Sequence, residues 1–134
     1  NGITPIYRYA DILLMYAEAQ NKADGSPNAL AYQCLNDIRK RAAGGGTYTE
    51  AANLSPEDFD KAVFDERGWE FFAEFKRWFH LVRTEKVLEA NMYNPRVKAA
   101  IEANGIAAKN KEAYYWMPLP IQEVQSCGFE QNPR

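Results

Sequence analysis

Residues 7–20 have the sequence YRYADILLMYAEAQ, in which apolar side chains follow a helical spacing. Six side chains recur at steps of three and four residues and share one stripe of a helix: Tyr9, Ile12, Leu13, Tyr16, Ala17 and Gln20. The pattern predicts a helix that starts near Pro5 and stops at residues 24–27, where the sequence Asp-Gly-Ser-Pro breaks it.

A second helix is predicted over about residues 27–43. Ser26 resembles an N-cap, and Pro27 behind it suits the first helical turn. The apolar stripe of this helix consists of Ala31, Cys34, Leu35, Ile38 and Ala42. The glycines at 44–46 end it. The two helices are expected to form a helical hairpin, and their spacing is similar to that of a tetratricopeptide pair.

Ser55 and Pro56 mark the start of a third helix, because the serine hydroxyl can accept a hydrogen bond from a free amide. The region that follows is rich in aromatic residues, namely Trp69, Phe71, Phe72, Phe75, Trp78 and Phe79. One helical stripe cannot hold them all, so we expect burial on more than one side and place the centre of the core here. A break near Gly68 or Phe75 is expected, with helix resuming to about Ala90.

The carboxy-terminal part is predicted to be less regular. Residues 94–105 form a short helix, residues 114–117 an extended segment before two prolines, and residues 122–124 one helical turn. The predicted fold is therefore all-α, with a tetratricopeptide-like helical hairpin, packed aromatic-rich helices and an irregular proline-containing tail. One domain over residues 1–134 is expected from the chain length.

The composition excludes several classes of protein. With 46% hydrophobic and 25% charged residues, the chain is expected to fold. Its net charge of −2 provides no general positive field, so nucleic acid is not an expected partner. The longest apolar run, residues 12–17, is far short of the ~20 residues that span a bilayer. The sequence opens without Met or a signal segment, so we expect a fragment of a longer protein.

The strongest candidates for catalytic residues are three carboxylates at four-residue steps, Glu66, Glu70 and Glu74. Paired carboxylates can perform acid and base catalysis, which would make the protein a hydrolase. The interleaved arginines favour a structural ion network instead, because an adjacent arginine depresses the pKa of a carboxyl group. The predicted network consists of Glu66, Arg67, Glu70, Glu74, Arg77 and Arg83. We expect no catalytic residue.

Metal and cofactor sites are not expected. Cys34 and Cys127 lack the spacing of metal ligands, and His80 is the only histidine. A disulfide between the two cysteines and a pair of buried free thiols are both compatible with the sequence.

Tyr114, Tyr115 and Trp116 are the only residues that we single out as ligand-binding candidates. Flat aromatic faces can stack on sugar rings or on bases. Alternatively, members of this segment fill the core beneath Pro118 and Pro120, which is the interpretation that we favour.

Four blocks of the sequence resemble the carboxy-terminal region of the SusD/RagB family. The first two are residues 7–19, YRYADILLMYAEA, and residues 35–42, LNDIRKRA. Residues 66–83 are similar to the family signature E-R-x-x-E-[LF]-x-x-E-x-x-R-W-x-D-L-x-R. Residues 117–123, MPLPIQE, with residues 131–133, QNP, are similar to its closing P-I-P-x-x-E and Q-N-P.

The sequence departs from the family pattern at three places. His80 stands where an aspartate is usual, Phe75 where a glycine is common, and Arg134 where a Gly-Tyr ending is usual. The first departure bears on whether the family's usual salt bridge near Arg77 and Arg83 forms here. The last one suggests a trimmed terminus.

The resemblance implies a non-catalytic surface lipoprotein of Bacteroidetes-type bacteria that captures glycans or other nutrients. Such proteins pass their ligand to a TonB-dependent outer-membrane transporter and need no cofactor. The resemblance also implies a lipid anchor at an amino-terminal cysteine outside this chain, so neither Cys34 nor Cys127 takes that role. Family members bind the oligo- or polysaccharide mainly through regions upstream of these blocks.

An interpretation from another class stays open. The chain would then be a helical-repeat domain whose exposed hairpin face binds a protein partner and which binds no sugar.

Overall fold

The computed structural model describes residues 6–91, 94–104 and 119–132, and regular secondary structure within these ranges is helical. In chain order the helices are α1 (Tyr9–Asp24), α2 (Ala29–Ala42), α3 (Pro56–Glu70), α4 (Arg77–Arg83), α5 (Val87–Asn91), α6 (Pro95–Asn104) and α7 (Ile121–Cys127). The predicted all-α class is confirmed. The chain divides into two compact units, residues 1–75 with α1 to α3 and residues 76–134 with α4 to α7. The single domain over 1–134 stays a prediction.

The hairpin of α1 and α2 forms as predicted, with corrected starts for both helices. Helix α1 starts after Arg8, later than the predicted start near Pro5, and the amide of Arg8 donates to Asp11 Oδ2 at 3.0 Å. Asn28, not Ser26, caps α2. The side-chain Oδ1 of Asn28 accepts a hydrogen bond from the amide of Ala31 at 2.8 Å. Gly25 ends α1 in the left-handed conformation, with φ of 68°.

The core of the first unit lies between α1, α2 and α3. Its fully buried side chains include Leu14, Ala17, Ala31, Leu35, Ile38, Phe59 and Val63. Small residues in α1 and α2 let the two helices approach closely. The stripe predicted for α1 therefore does not face the core as a whole, since Tyr9 and Ile12 are exposed while Leu14 is buried.

Side chains of α2 fix the loop that leads into α3. The Asn36 amide group donates to the Ala51 carbonyl at 3.0 Å and accepts from its amide at 2.8 Å. The Tyr32 hydroxyl donates to the Leu54 carbonyl at 3.2 Å and accepts from its amide at 2.8 Å. Ser55 then caps α3 as predicted, with its Oγ accepting from an amide of the first turn at 3.0 Å.

Helix α3 ends at Glu70, and a turn over residues 71–75 separates it from α4. The break therefore lies near Phe75 and not at Gly68. The predicted aromatic core is wrong for several of its members: Trp69, Phe72, Phe75 and Phe79 are exposed. The helix ends before most of the aromatic run, so Phe72 and Phe75 fall on the turn, while Phe71 alone among the turn aromatics is buried.

The described part of the second unit contains four short helices. Residues 84–86 separate α4 from α5, so the predicted continuous helix to about Ala90 is interrupted. Helix α6 begins as predicted, with Asn94 Oδ1 accepting from the amide of Arg96 at 3.0 Å. The side chain of Gln131 makes two hydrogen bonds to the backbone of Leu119. Its Nε2 donates to the Leu119 carbonyl at 3.0 Å, and its Oε1 accepts from the Leu119 amide at 2.7 Å. These bonds link two parts of the closing motif, and α7 between them is longer than the predicted single turn.

Candidate functional site

The carboxylates of α3 and of the turn behind it meet arginines from α1 and α2. We call this group the Arg8 cluster; its members are Arg8, Arg39, Arg41, Glu66, Glu70 and Glu74. Arg8 is the N-cap residue of α1, while Arg39 and Arg41 lie in the last turn of α2. The cluster therefore ties the start of α1 and the end of α2 to the end of α3.

Arg8 makes the most contacts in the cluster. Its Nη1 donates to Glu70 Oε1 at 2.8 Å, and its Nη2 donates to Glu74 Oε1 at 2.7 Å and to the Glu70 carbonyl at 2.9 Å. Its Nε donates to Glu74 Oε2 at 3.2 Å, which makes the contact with Glu74 bidentate. The hydrogen bond to Glu74 raises the pKa of Arg8; burial opposes this rise, and Glu70 adds to it.

The other two arginines complete the cluster around side chains that water barely reaches. Arg39 Nε donates to Glu66 Oε2 at 3.0 Å, and Arg41 pairs with Glu70. The side chains of Glu66 and Glu70 are each only 7% exposed. A buried carboxylate without its arginine would lose most of its compensation, so each pairing matters for stability.

An aromatic ring and a further ion pair lie beside the cluster. The guanidinium carbons of Arg8 and Arg67 lie 5.0 Å and 5.2 Å from the centre of the Phe71 ring, within the range of cation–π attraction. Arg67 also pairs with Asp11, with 3.7 Å between Nη2 and Oδ1. Asp11 in turn accepts from the amide of Arg8. Phe71 is buried in the core as predicted, and its ring lies beside these two charged groups.

Two members of the predicted ion network, Arg77 and Arg83, lie at the two ends of α4 in the second unit. Arg77 Nη1 is 3.3 Å from Nδ1 of the buried His80, the residue that replaces the family's usual aspartate. A guanidinium can only donate, so Nδ1 accepts and the ring proton of a neutral His80 is on Nε2. The single ion network of these six residues stays a prediction.

Sequence reasoning missed the cationic half of the cluster. Arg8, Arg39 and Arg41 are present in the two amino-terminal motif blocks, but nothing local shows that they face α3. Charge complementarity between the blocks gives no signal either, because residues 66–83 carry four cationic side chains beside their three glutamates.

A pocket of about 300 Å³ lies on another part of the first unit. We call it the Trp69 pocket; its walls are α3 residues, the loop over residues 49–54 and Arg39. The α3 residues at the pocket are Asp58, Lys61, Ala62, Asp65 and Trp69. A second opening of about 290 Å³ lies beside Arg8, Tyr9 and Arg41.

The ligand-binding candidates named from the sequence, Tyr114, Tyr115 and Trp116, lie outside the described residues. In the described ranges no group of three His, Cys, Asp or Glu side chains is arranged to hold a metal ion. None of the helices described has both the length and the hydrophobicity to cross a membrane.

Both cysteines are free thiols in very different surroundings. Cys34 is buried in the hairpin, and burial raises the pKa of its thiol, with a further rise from the charge of Asp37. Cys127 is exposed at the end of α7, with its Sγ 3.6 Å from Glu123 Oε2.

Comparison with known proteins gives a consistent result. A family model described as the SusD family matches residues 1–134. SusD-like protein P25 of Formosa agariphila is 30% identical over 126 residues, which cover 90% of this chain and 21% of that protein. SusD-like protein P38 of the same organism is 37% identical over 89 residues, or 63% of this chain and 17% of that protein. The chain thus spans about a fifth of the length of these relatives.

Two solved structures are similar to this chain over nearly its whole length. A SusD homolog from Bacteroides thetaiotaomicron superposes with a TM-score of 0.58 at 29% identity, covering 96% of this chain and 26% of that one. A SusD superfamily protein from Parabacteroides distasonis superposes with a TM-score of 0.66 at 28% identity, covering 95% of this chain and 26% of that one.

Proposed function

This chain belongs to the SusD family, and we propose that it is the carboxy-terminal segment of a cell-surface lipoprotein that captures glycans or related nutrients. In this proposal a lipid on an amino-terminal cysteine outside the chain anchors the protein in the outer membrane. The captured ligand passes to a TonB-dependent transporter. The observation that supports the proposal is the family match over residues 1–134.

The chemistry of the carboxylates supports a non-catalytic role. Glu66, Glu70 and Glu74 each form an ion pair with an arginine from a distant part of the chain. A glycosidase instead needs two carboxyl groups that flank the scissile bond of its substrate. The proposed role of this row is to hold the ends of three helices together.

Affinity electrophoresis of the full-length protein tests the capture of glycans. Native gels cast with amylopectin, xylan, mannan, β-glucan, polygalacturonate or alginate are compared with a gel without polysaccharide. We expect at least one polysaccharide to retard the protein relative to a non-binding reference protein. Unchanged mobility in every gel would contradict the proposal.

Delivery to a transporter is tested by isolating the protein from its own outer membrane. Mild detergent extraction and affinity capture of the full-length protein should bring down a β-barrel transporter in comparable amount. The control is a variant without the proposed lipidated cysteine, which should be lost from the outer membrane. Capture of the anchored protein without any transporter would contradict this part of the proposal.

A protein-binding domain without sugar binding is the second candidate. The observation that favours it is the exposed apolar stripe on α1, formed by Tyr9 and Ile12 with the partly exposed Tyr16. Such a stripe is typical of helices that bind a partner through side chains at steps of three and four residues. Loss of protein capture in an Ile12→Asp variant, together with unchanged mobility of the wild type in every polysaccharide gel, would favour this second candidate.

A further inference from the structure

The Trp69 pocket has a wall that is fixed by hydrogen bonds before any ligand arrives. Ala51 and Leu54, both at the pocket, are each held by two hydrogen bonds to side chains of α2. The opposite wall is α3, whose start is capped by Ser55. Sites for small ligands are usually preformed in this way, because a loop that must be ordered on binding lowers the affinity.

Trp69 gives the pocket a large flat face. Its side chain is 68% exposed although indole is among the most hydrophobic of side chains. Its position is one that the family signature leaves open, between the arginine and the second glutamate of E-R-x-x-E. The neighbouring signature glutamates belong to the Arg8 cluster, but Trp69 does not. The cluster therefore does not explain why a tryptophan occupies this position.

Both cationic groups at the pocket are already engaged by carboxylates. Lys61 Nζ lies 2.7 Å from Asp65 Oδ2, and Arg39 is engaged by Glu66 and by the Thr49 carbonyl. A carboxylate has about four acceptor sites, so an ion pair leaves Asp65 able to accept from further donors.

The balance of charge selects the kind of ligand. The formal charges of the lining residues are two positive, Arg39 and Lys61, and three negative, Glu50, Asp58 and Asp65. This surplus of acceptors disfavours an anion and suits hydroxyl donors. A flat apolar face beside hydroxyl acceptors fits one ring of a neutral sugar, which has C–H groups on its face and O–H groups at its edge.

We propose that the Trp69 pocket is a binding subsite for one unit of a neutral glycan. The indole of Trp69 stacks on the C–H face of the sugar ring, and the carboxylate of Asp65, one helical turn away, accepts from its hydroxyl groups. This inference rests on the proposed function, since it names the ligand class and a place on this chain where part of that ligand binds.

The test compares Trp69→Ala with Phe72→Ala in the full-length protein. Phe72 is an even more exposed aromatic residue, 83% exposed, that does not line the pocket. Dissociation constants are measured by affinity electrophoresis in amylopectin, xylan, mannan and β-glucan, with polygalacturonate and alginate as acidic probes. We expect Trp69→Ala to weaken binding of a neutral polysaccharide about five- to tenfold, the size of one lost aromatic contact. Phe72→Ala should leave the binding unchanged.

The outcomes separate the subsite from the function of the whole protein. Unchanged retardation of Trp69→Ala by a polysaccharide that the wild type binds overturns the subsite and leaves the proposed function standing. Equal weakening by both substitutions also overturns it, because the effect is then not specific to the pocket. Retardation of the wild type by acidic polysaccharides alone contradicts the charge argument. No retardation of the wild type in any gel overturns the subsite and glycan capture together.

Discussion

The Arg8 cluster and the turn over residues 71–75 share Glu74, but most of their residues differ in how they are stabilised. In the cluster, carboxylates of low exposure are paired with arginines from two other helices. In the turn, Ala73 and Phe75 have positive φ values, 62° and 60°, and Phe72 and Phe75 extend into solvent. The difference indicates that the signature residues hold the helices together, whereas residues outside the signature are left for other contacts.

Replacing Arg8 with alanine tests the cluster and has the largest expected effect. The substitution leaves Glu70, which is 7% exposed, with Arg41 as its remaining partner, and removes the bidentate contact with Glu74. We expect the free energy of unfolding to fall by about 2–4 kcal/mol, somewhat less than for a fully buried pair. Urea denaturation of the wild type and the variant measures the change.

Arg8→Lys is the matched control, because it keeps the charge and removes the fork that binds two carboxylates. Its loss of stability should lie between those of the wild type and Arg8→Ala. An unfolding midpoint for Arg8→Ala equal to that of the wild type would show that the cluster contributes nothing to the fold.

Replacing Phe75 with glycine tests the strain in the turn, with an expected effect of opposite sign. A bulky residue at φ of 60° is unfavourable, and its side chain is 86% exposed, so little packing is lost. We expect Phe75→Gly to raise the free energy of unfolding by about 1 kcal/mol.

Phe72→Gly serves as the comparison, since Phe72 is similarly exposed but does not have a positive φ. This substitution should leave stability unchanged or lower it, because glycine loses more backbone entropy on folding. A decrease in stability for Phe75→Gly would mean that its ring makes a contact that outweighs the strain.

The two cysteines provide a further comparison, between a buried and an exposed residue. Of the residues tested, they have the smallest expected effect on the free energy of unfolding near neutral pH. An aromatic disulfide reagent should modify Cys127 rapidly and Cys34 only at the rate of unfolding, because the thiolate is the reactive form and burial raises the pKa of Cys34. Rapid modification of two thiols in the native protein would contradict the buried position of Cys34.

The sign of the linked pH dependence follows from the same shift. The folded state holds the Cys34 proton more tightly than the unfolded state does. The stability associated with this thiol is therefore fully present below the ordinary thiol pKa and is lost as the pH rises through the raised value. A Cys34→Ala variant should lose less stability than the wild type between neutral and alkaline pH.

The helices could be predicted from the sequence because their signals are local. Ser55 and Asn94 cap helices where the sequence indicates, and Gly25 ends α1 because it tolerates a left-handed conformation. The cap of α2 was misplaced by two residues, since Ser26 and Asn28 are both good caps and only the contacts of the folded hairpin distinguish them.

The partners of the charged residues could not be predicted, because they are distant in the chain. Arg8 and Glu70 are separated by 62 positions, and neither has a local feature that identifies the other. The prediction that the aromatic residues are buried is wrong for several of them, for a related reason. Hydrophobicity predicted that Phe72 and Phe75 would be buried, but the end of α3 at Glu70 decides where these side chains point.

The most direct test of the division between scaffold and binding surface measures stability and sugar binding on the same two variants. In the full-length protein, Arg8→Ala and Trp69→Ala are compared with the wild type by thermal unfolding and by affinity electrophoresis well below each melting temperature. We predict that Arg8→Ala has a lower melting temperature than the wild type but binds neutral polysaccharide equally well. We predict that Trp69→Ala has the melting temperature of the wild type but binds neutral polysaccharide more weakly. Loss of binding by folded Arg8→Ala, or undiminished binding by Trp69→Ala, would contradict this account.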